Sequence, residues 1–392
     1  MRGRRSKIPI RSLLHMVHTP ELLLHSITFA IRKRLTVHFD YHRDDGRSAP
    51  MKQVNIKITN ACNLRCKTCA QWGEAGYMLS APSSVVRETV PLDVYKRMVD
   101  DISGRRPWIY IWGGEPFLYP DLLPLLAYMK QKRLIGSVVT NGTFLAEHAQ
   151  ELVAIGWDSL ALSLDGTREL HDTIRGREGT YDRLMASIEA IQDEKKRRGR
   201  HTPSITLVTT VSKDNAHYLD RIFDIGEEVG VDAMLLYYAW FTTEEIGHRH
   251  EAVMQQRLGI TPNAWKGYLW SFDEIDPGAV VDSIRRIRSR KYRFPYLLIP
   301  DLEYEDIPRY YQEPAHTFGY DRCVYPWMVT DIMPNGDVSP CRDYPDYVVG
   351  NIQEDRLLDI WNSERYRKFR TALKAEGGRF PICARCCGLM GW

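Results

Sequence analysis

From Met51 to Tyr237, short β-branched and apolar runs alternate with longer stretches whose apolar positions recur every three or four residues. A period near two reads as strand and one near 3.6 as helix. Strands are therefore expected at Gln53–Thr59, Trp108–Trp112, Gly136–Thr140, Ser159–Leu164, Ser204–Val211 and Asp232–Tyr237. Helices are expected at Pro91–Ile102, Pro120–Lys132, Phe144–Ile155, Tyr181–Lys196 and Ala216–Val229. Six β–α alternations imply an α/β fold with a parallel sheet. In such sheets chemistry gathers beyond the carboxyl ends of the strands. Polar signals stand there: Cys62 after the first strand, Gly113-Gly114-Glu115 after the second, Asn141-Gly142 after the third and Asp165-Gly166 after the fourth.

The flanks read differently. Residues 1–50 suit two short amphipathic helices broken at Pro20, then a polar turn through Asp44-Asp45-Gly46. From Phe241 to Gly319 the pattern is irregular and aromatic, with one helix expected at Gly278–Lys291. Its Trp240, Phe241, Trp265, Tyr268, Trp270, Tyr310 and Tyr311 read first as packing, and His248 and His250 as surface residues. Val329–Met333 and Val338–Cys341 flank an Asn335-Gly336 turn, a strong hairpin signal, and a helix is expected over Leu357–Leu373. Four units follow: a 1–50 extension, a 51–240 α/β unit, a 241–320 bridge or cap, and a small 321–392 α+β unit.

Composition narrows the picture. The 392 residues are 44% hydrophobic and 26% charged, the balance of a globular protein. No apolar run approaches a bilayer span. The net charge is +3, but residues 1–50 hold ten Lys/Arg against four Asp/Glu, leaving a nearly neutral body. Stable nucleic-acid binding is not expected of that body. The HMVHTPELLLHS stretch lacks the unbroken apolar core and small-residue cleavage site of a secretory signal, so the chain reads as cytoplasmic. Leu13, Leu14, Val17, Leu22, Leu23, Ile27 and Ile31, followed by Arg32-Lys33-Arg34, read first as a face packed on the barrel. The second reading is a surface for peripheral membrane or peptide contact.

The eight cysteines carry the candidate chemistry. CNLRCKTC places Cys62, Cys66 and Cys69 on one short loop, a spacing that can aim three thiolates at one point. A closed zinc site wants a fourth ligand from elsewhere, whereas three cysteines can hold an iron–sulfur cluster with one iron open. The C-terminal group, Cys323, Cys341 and the Cys383-x-x-Cys386-Cys387 run, could likewise hold a structural zinc or a cluster.

Over about residues 52–240 the chain resembles the radical SAM superfamily. CNLRCKTC, GGEP (Gly113–Pro116), TNG (Thr140–Gly142), SLDG (Ser163–Gly166) and HDTIRG (His171–Gly176) carry the resemblance. It implies a partial (β/α)6 TIM-like barrel in which Cys62, Cys66 and Cys69 hold a [4Fe–4S] cluster whose open iron binds S-adenosylmethionine. Gly113, Gly114 and Glu115 would meet the methionyl amino group. Ser163 and Arg175 would lie near its carboxylate or ribose, and Asn141 and Asp165 elsewhere in the pocket. Thr68 departs from the aromatic residue frequent before the third cysteine.

The C-terminal region resembles the SPASM extension or its shorter twitch form, through its cysteines and VGNIQEDRLLDIWNSERYRKFR (Val349–Arg370). That likeness implies one auxiliary [4Fe–4S] cluster on Cys323, Cys341, Cys383 and Cys386, with Cys387 spare or substituting. A fully ligated cluster suits electron transfer. The resemblance thus points to hydrogen abstraction followed by oxidation of a small metabolite, such as a sugar or cyclitol, or of a peptide side chain. A flavodoxin- or ferredoxin-type electron donor is implied, and no catalytic base is assigned. The competing reading is a non-catalytic metal-binding or electron-transfer protein, and a third, drawn only from the basic leader, is a nucleic-acid-modifying radical SAM enzyme.

Overall fold

The computed structural model describes residues 20–269 and 272–391. Its centre is one ten-stranded sheet. Strands β1 (Gln53–Lys57), β2 (Trp108–Trp112), β3 (Ile135–Thr140), β4 (Ser159–Ser163), β5 (Ser204–Thr210), β6 (Ala233–Tyr237) and β7 (Tyr296–Ile299) run parallel in that order. Beyond β1 lie β8 (Val329–Ile332), β9 (Asp337–Ser339) and β10 (Gly350–Asn351). The parallel order is what the β–α alternation implies, and the open, partial barrel what the resemblance implies.

Burial alternates along β2, β5 and β6: Ile109, Ile111, Leu207, Met234 and Leu236 are buried, while Tyr110, Trp112, Val208 and Tyr237 are half-buried. One face lies under the helices and the other faces a hollow. The helix Leu92–Ser103 shows why the covering layer forms, since Val94, Tyr95, Met98, Val99 and Ile102 fall on one stripe and are all buried. Each crossover helix returns the chain so that every strand ends at the same rim.

Two features depart from the sequence expectation. The 241–319 region is more regular than its pattern implies. It contains the helix Glu244–Leu258, the expected helix (Pro277–Ser289), β7 and the helix Asp306–Gln312. The hairpin β8–β9 forms around Gly336 but does not stand apart: β8 pairs in parallel with β1, Asn55 opposite Asp331. The helix expected over Leu357–Leu373 is split into Leu357–Ile360 and Glu364–Ala375, because Ser363 caps the second piece by accepting from Tyr366 N.

At the N-terminal end the helix Pro20–Leu35 is followed by a π-turn Thr36–Asp40. Asp40 takes Arg32 and the Ser48 hydroxyl, fixing the chain to the body. Ile27, Ile31, Leu35 and Phe39 remain exposed, a stripe at fourfold spacing. The first expected helix, with Leu13, Leu14 and Val17, and Trp270 lie outside the described residues, as do the side chains of Leu22 and Leu23. Among the described residues no helix is long and apolar enough to cross a membrane.

Candidate functional site: two cysteine groups on one hollow

β1 ends at Lys57 and the chain turns into the loop of Cys62, Cys66 and Cys69. Close backbone approach builds this loop. Gly114 N donates to Thr59 O at 2.9 Å and Glu115 N to Ala61 O at 2.8 Å. A Cβ on Gly114 would sit 2.0 Å from Ala61 O. The loop is pinned on its far side by Lys67 N to Ile174 O at 2.9 Å. Trp72 closes it with an indole bond to Asn60 O at 2.8 Å.

Backbone amides already point at sulfur. Leu64 N lies 3.5 Å from Cys62 Sγ and Trp72 N 3.4 Å from Cys69 Sγ. Burial pushes the Cys62 thiol up to about 12 and the Cys66 thiol up to about 11. Thiols held protonated in this way become thiolates when a cationic metal centre meets them, so the donor set fits a cluster. Among the described residues no three His, Cys, Asp or Glu side chains gather as ligands of a single ion.

Glu115 is fully buried at the end of β2. Its carboxylate accepts from Thr140 Oγ1 at 2.6 Å, Asn141 N at 2.9 Å and Phe117 N at 3.1 Å. Burial nevertheless raises it to about 7. Gln71 Nε2 donates to Gly113 O at 3.2 Å, while Gln71 Oε1 and Asn60 Oδ1 are buried without a partner among the described residues.

The other sequence candidates fall on the same rim. Arg175 pairs with Asp165 and its Nη1 lies 3.7 Å from Cys66 Sγ. The Asn141 side chain binds Asn63 Oδ1 at 2.8 Å and accepts from Thr143, so it braces the cysteine loop. Ser163 is half-buried at the end of β4.

At the other end of the hollow Cys323, Cys341, Cys383, Cys386 and Cys387 all line one small cavity of about 30 Å³. Burial drives the Cys383 thiol up to about 11, and raises Cys323 and Cys341 further. The Cys387 sulfur accepts from Arg342 Nη2 at 3.0 Å, whereas Cys386 Sγ donates to Asp343 Oδ2 at 3.2 Å.

Several residues that the sequence reading passed over join the two groups. Lys57, only 4% exposed, donates to Tyr77 Oη at 3.2 Å and lies 5.8 Å from the Trp112 ring. Arg342 lies 5.9 Å from the same ring and 5.7 Å from those of Tyr110 and Trp240. Burial lowers Lys57 to about 8, which marks an ammonium with no close carboxylate. The expectation of two surface histidines holds for His248, which faces Glu251, but not for His250. The latter is 1% exposed, lines the cysteine cavity and is pushed down to about 4 by burial.

Comparison with known proteins agrees with this geometry. The radical SAM superfamily model matches residues 56–224, and the iron–sulfur cluster-binding SPASM domain model matches 323–387. An AdoMet-dependent heme synthase of Methanosarcina barkeri is 27% identical over 335 residues, covering 83% of this chain and 86% of its own. The subtilosin biosynthesis protein AlbA of Bacillus subtilis is 24% identical over 333 residues, covering 83% of this chain but 62% of its own. Streptococcus suis SuiB bound to precursor peptide SuiA superposes with TM-score 0.56 at 16% identity, over 80% of this chain and 65% of SuiB. This chain therefore spans under two thirds of the AlbA and SuiB lengths. Such domains use a SAM-binding [4Fe–4S] cluster, S-adenosylmethionine and an auxiliary iron–sulfur cluster. The chain is a member of the radical SAM superfamily with a C-terminal SPASM-type cluster domain.

Proposed function

We propose that the protein oxidises a small, anion-bearing molecule seated in the hollow between its two cysteine groups. The observation that carries this is the shared Trp112 ring, with Lys57 5.8 Å and Arg342, bonded to Cys387, 5.9 Å from its centroid. When bound, S-adenosylmethionine and the first cluster supply a hydrogen-abstracting 5′-deoxyadenosyl radical, and the auxiliary cluster supplies an electron acceptor. The chain's own part is binding, orientation and exclusion of water.

In this reading Cys62, Cys66 and Cys69 hold the first cluster, and Glu115 accepts from the methionyl amino group. Arg175 offers a guanidinium fork to the methionyl carboxylate, with Ser163 on the same rim. Cys323, Cys341 and Cys383 are three auxiliary ligands. Cys387 is read as the fourth in place of Cys386, because its sulfur meets the Arg342 guanidinium while Cys386 Sγ is bonded to the Asp343 carboxylate. Lys57 and Arg342, the latter also paired with Asp343 at 3.3 Å, are the cations this reading offers to carboxylate or phosphate groups. The relative named as a heme synthase supports a small-molecule substrate.

A peptide substrate is the second reading. The exposed stripe of Ile27, Ile31 and Leu35 favours it, as does the relative named for subtilosin biosynthesis. The electron donor is of flavodoxin or ferredoxin type.

The test is anaerobic reconstitution, addition of S-adenosylmethionine and dithionite, and measurement of 5′-deoxyadenosine. The Cys62→Ala/Cys66→Ala/Cys69→Ala variant is the control. Product in the unsubstituted protein alone supports the reading. Its absence from protein carrying both clusters would leave a non-catalytic electron-transfer role.

A further inference from the structure

We infer that His250 donates an N–H hydrogen bond to a sulfur of the auxiliary iron–sulfur cluster and thereby raises that cluster's reduction potential. This rests on the assignment of the auxiliary cluster to the C-terminal cysteines. His250 lies on the helix Glu244–Leu258, one turn before Met254 and two before Leu258, on the face that packs inward. Both of its ring nitrogens are buried and neither has a hydrogen-bond partner among the described residues. The ring faces Tyr344 and Phe380, each with its centroid 5.9 Å away, and neither offers the imidazole a bond. Tyr344 instead directs its hydroxyl at Ile382 O.

A neutral imidazole always carries one N–H and one bare nitrogen. A phenyl ring would fill the same apolar space without stranding them, and buried orphan groups of this kind call for a missing partner. The cavity that His250 lines is the one lined by Cys323, Cys341, Cys383, Cys386 and Cys387. A cluster built there brings thiolate and sulfide acceptors into the same space. Five cysteines exceed the four ligands a [4Fe–4S] cluster needs, so the imidazole is not required as a ligand. Its remaining role is donation. Hydrogen bonds to cluster sulfur stabilise the more negative, reduced state and move the potential upward.

The Cys62→Ala/Cys66→Ala/Cys69→Ala protein, reconstituted anaerobically and reduced with dithionite to the paramagnetic [4Fe–4S]+ state, isolates the auxiliary cluster for pulsed EPR after labelling histidine with nitrogen-15. One weakly coupled histidine nitrogen is expected, and it should vanish in an added His250→Phe substitution. The midpoint potential should fall in His250→Phe and return toward the starting value in His250→Gln, which restores an N–H donor. Strong coupling would make His250 a ligand, and absent coupling would make it ordinary core; either result overturns the inference. Coupling is read with His250 intact, so a folding failure of the phenylalanine variant does not block the test. A triple variant that binds no iron would instead overturn the cluster assignment beneath the inference.

Discussion

Asp165 and Arg175 form an ion pair of 2.6 Å at the end of β4, with the carboxylate almost wholly covered. The other carboxylate oxygen accepts from Thr210 N on β5 at 3.0 Å, and Arg175 reaches on to the Cys66 sulfur. The pair therefore fastens the helix Arg168–Arg175 to both the sheet and the cysteine loop. Asp165→Ala strips the counter-charge from a buried guanidinium and should cost about 3–5 kcal/mol in urea unfolding of the cluster-free protein. Arg175→Lys keeps the charge but loses the fork. It should cost less stability and weaken S-adenosylmethionine binding, measured by titration of the reconstituted protein.

Glu115 links stability to pH. Burial raises its carboxyl from 4.5 to about 7, against the three hydrogen bonds it accepts. A group whose folded pKa exceeds its unfolded value contributes fully below the unfolded value, and the contribution is lost as pH rises through the folded one. Relative to the unsubstituted protein, Glu115→Gln should therefore gain stability between pH 5 and pH 8, by on the order of 3 kcal/mol. Denaturant midpoints across that range check the sign. The ionised form is also the one that accepts from a bound methionyl amino group. S-adenosylmethionine affinity should thus rise from pH 6 to pH 8 and lose most of that slope in Glu115→Gln.

The motif-bearing rim was legible because each motif follows a strand whose local period marks it, from Cys62 after β1 to Asp165 after β4. Long-range pairing was not. β8 and β1 are separated by more than 270 residues, and nothing local in Val329–Ile332 says that Asp331 will lie opposite Asn55. β7 was hidden because Tyr296–Ile299 is only four residues long between Pro295 and Pro300. His250 was misread because His248 and Arg249 make the segment look solvated. Its spacing to Met254 and Leu258 was the available signal, and Gly247 joins them on the buried face.

The β1–β8 junction makes its own prediction. Asp331 is fully buried and accepts from Asn55 Nδ2 at 2.7 Å and Tyr325 Oη at 2.8 Å. Asp331→Leu would take the shared acceptor from both donors, leaving Asn55 Nδ2 its bond to Tyr325 Oη, and should cost about 1–3 kcal/mol. Because the three residues join the hairpin to the barrel, hydrogen exchange at residues 329–339 should accelerate more than at β3 or β4. Equal protection in both regions would show that the junction does not depend on this network.

Gly114 tests the cysteine loop separately from the C-terminal group. Gly114→Ala would place a carbon 2.0 Å from the Ala61 carbonyl oxygen, a contact with backbone that only movement of the loop can relieve. Displacing that loop should cut iron incorporation by about half, since a second cluster on the C-terminal cysteines is unaffected. Iron analysis of reconstituted protein measures this. Retention of full iron would mean that the loop re-forms around the cluster despite the clash.

Cys386 and Cys387 differ in charge environment rather than in position along the chain. Cys387 Sγ accepts from the Arg342 guanidinium at 3.0 Å, whereas Cys386 Sγ donates to the Asp343 carboxylate. The Cys386 thiol is raised well above its ordinary value, first by its bond with Cys387, then by burial and by Asp343. Only a thiolate ligates iron. Cys387→Ala should therefore remove more auxiliary iron than Cys386→Ala, read in the background that lacks Cys62, Cys66 and Cys69. Arg342→Ala should shift the balance toward Cys386, because it withdraws the charge that distinguishes the pair. If Cys386→Ala proves the more damaging change and Arg342→Ala has no effect, ligand choice is set by loop geometry and not by electrostatics.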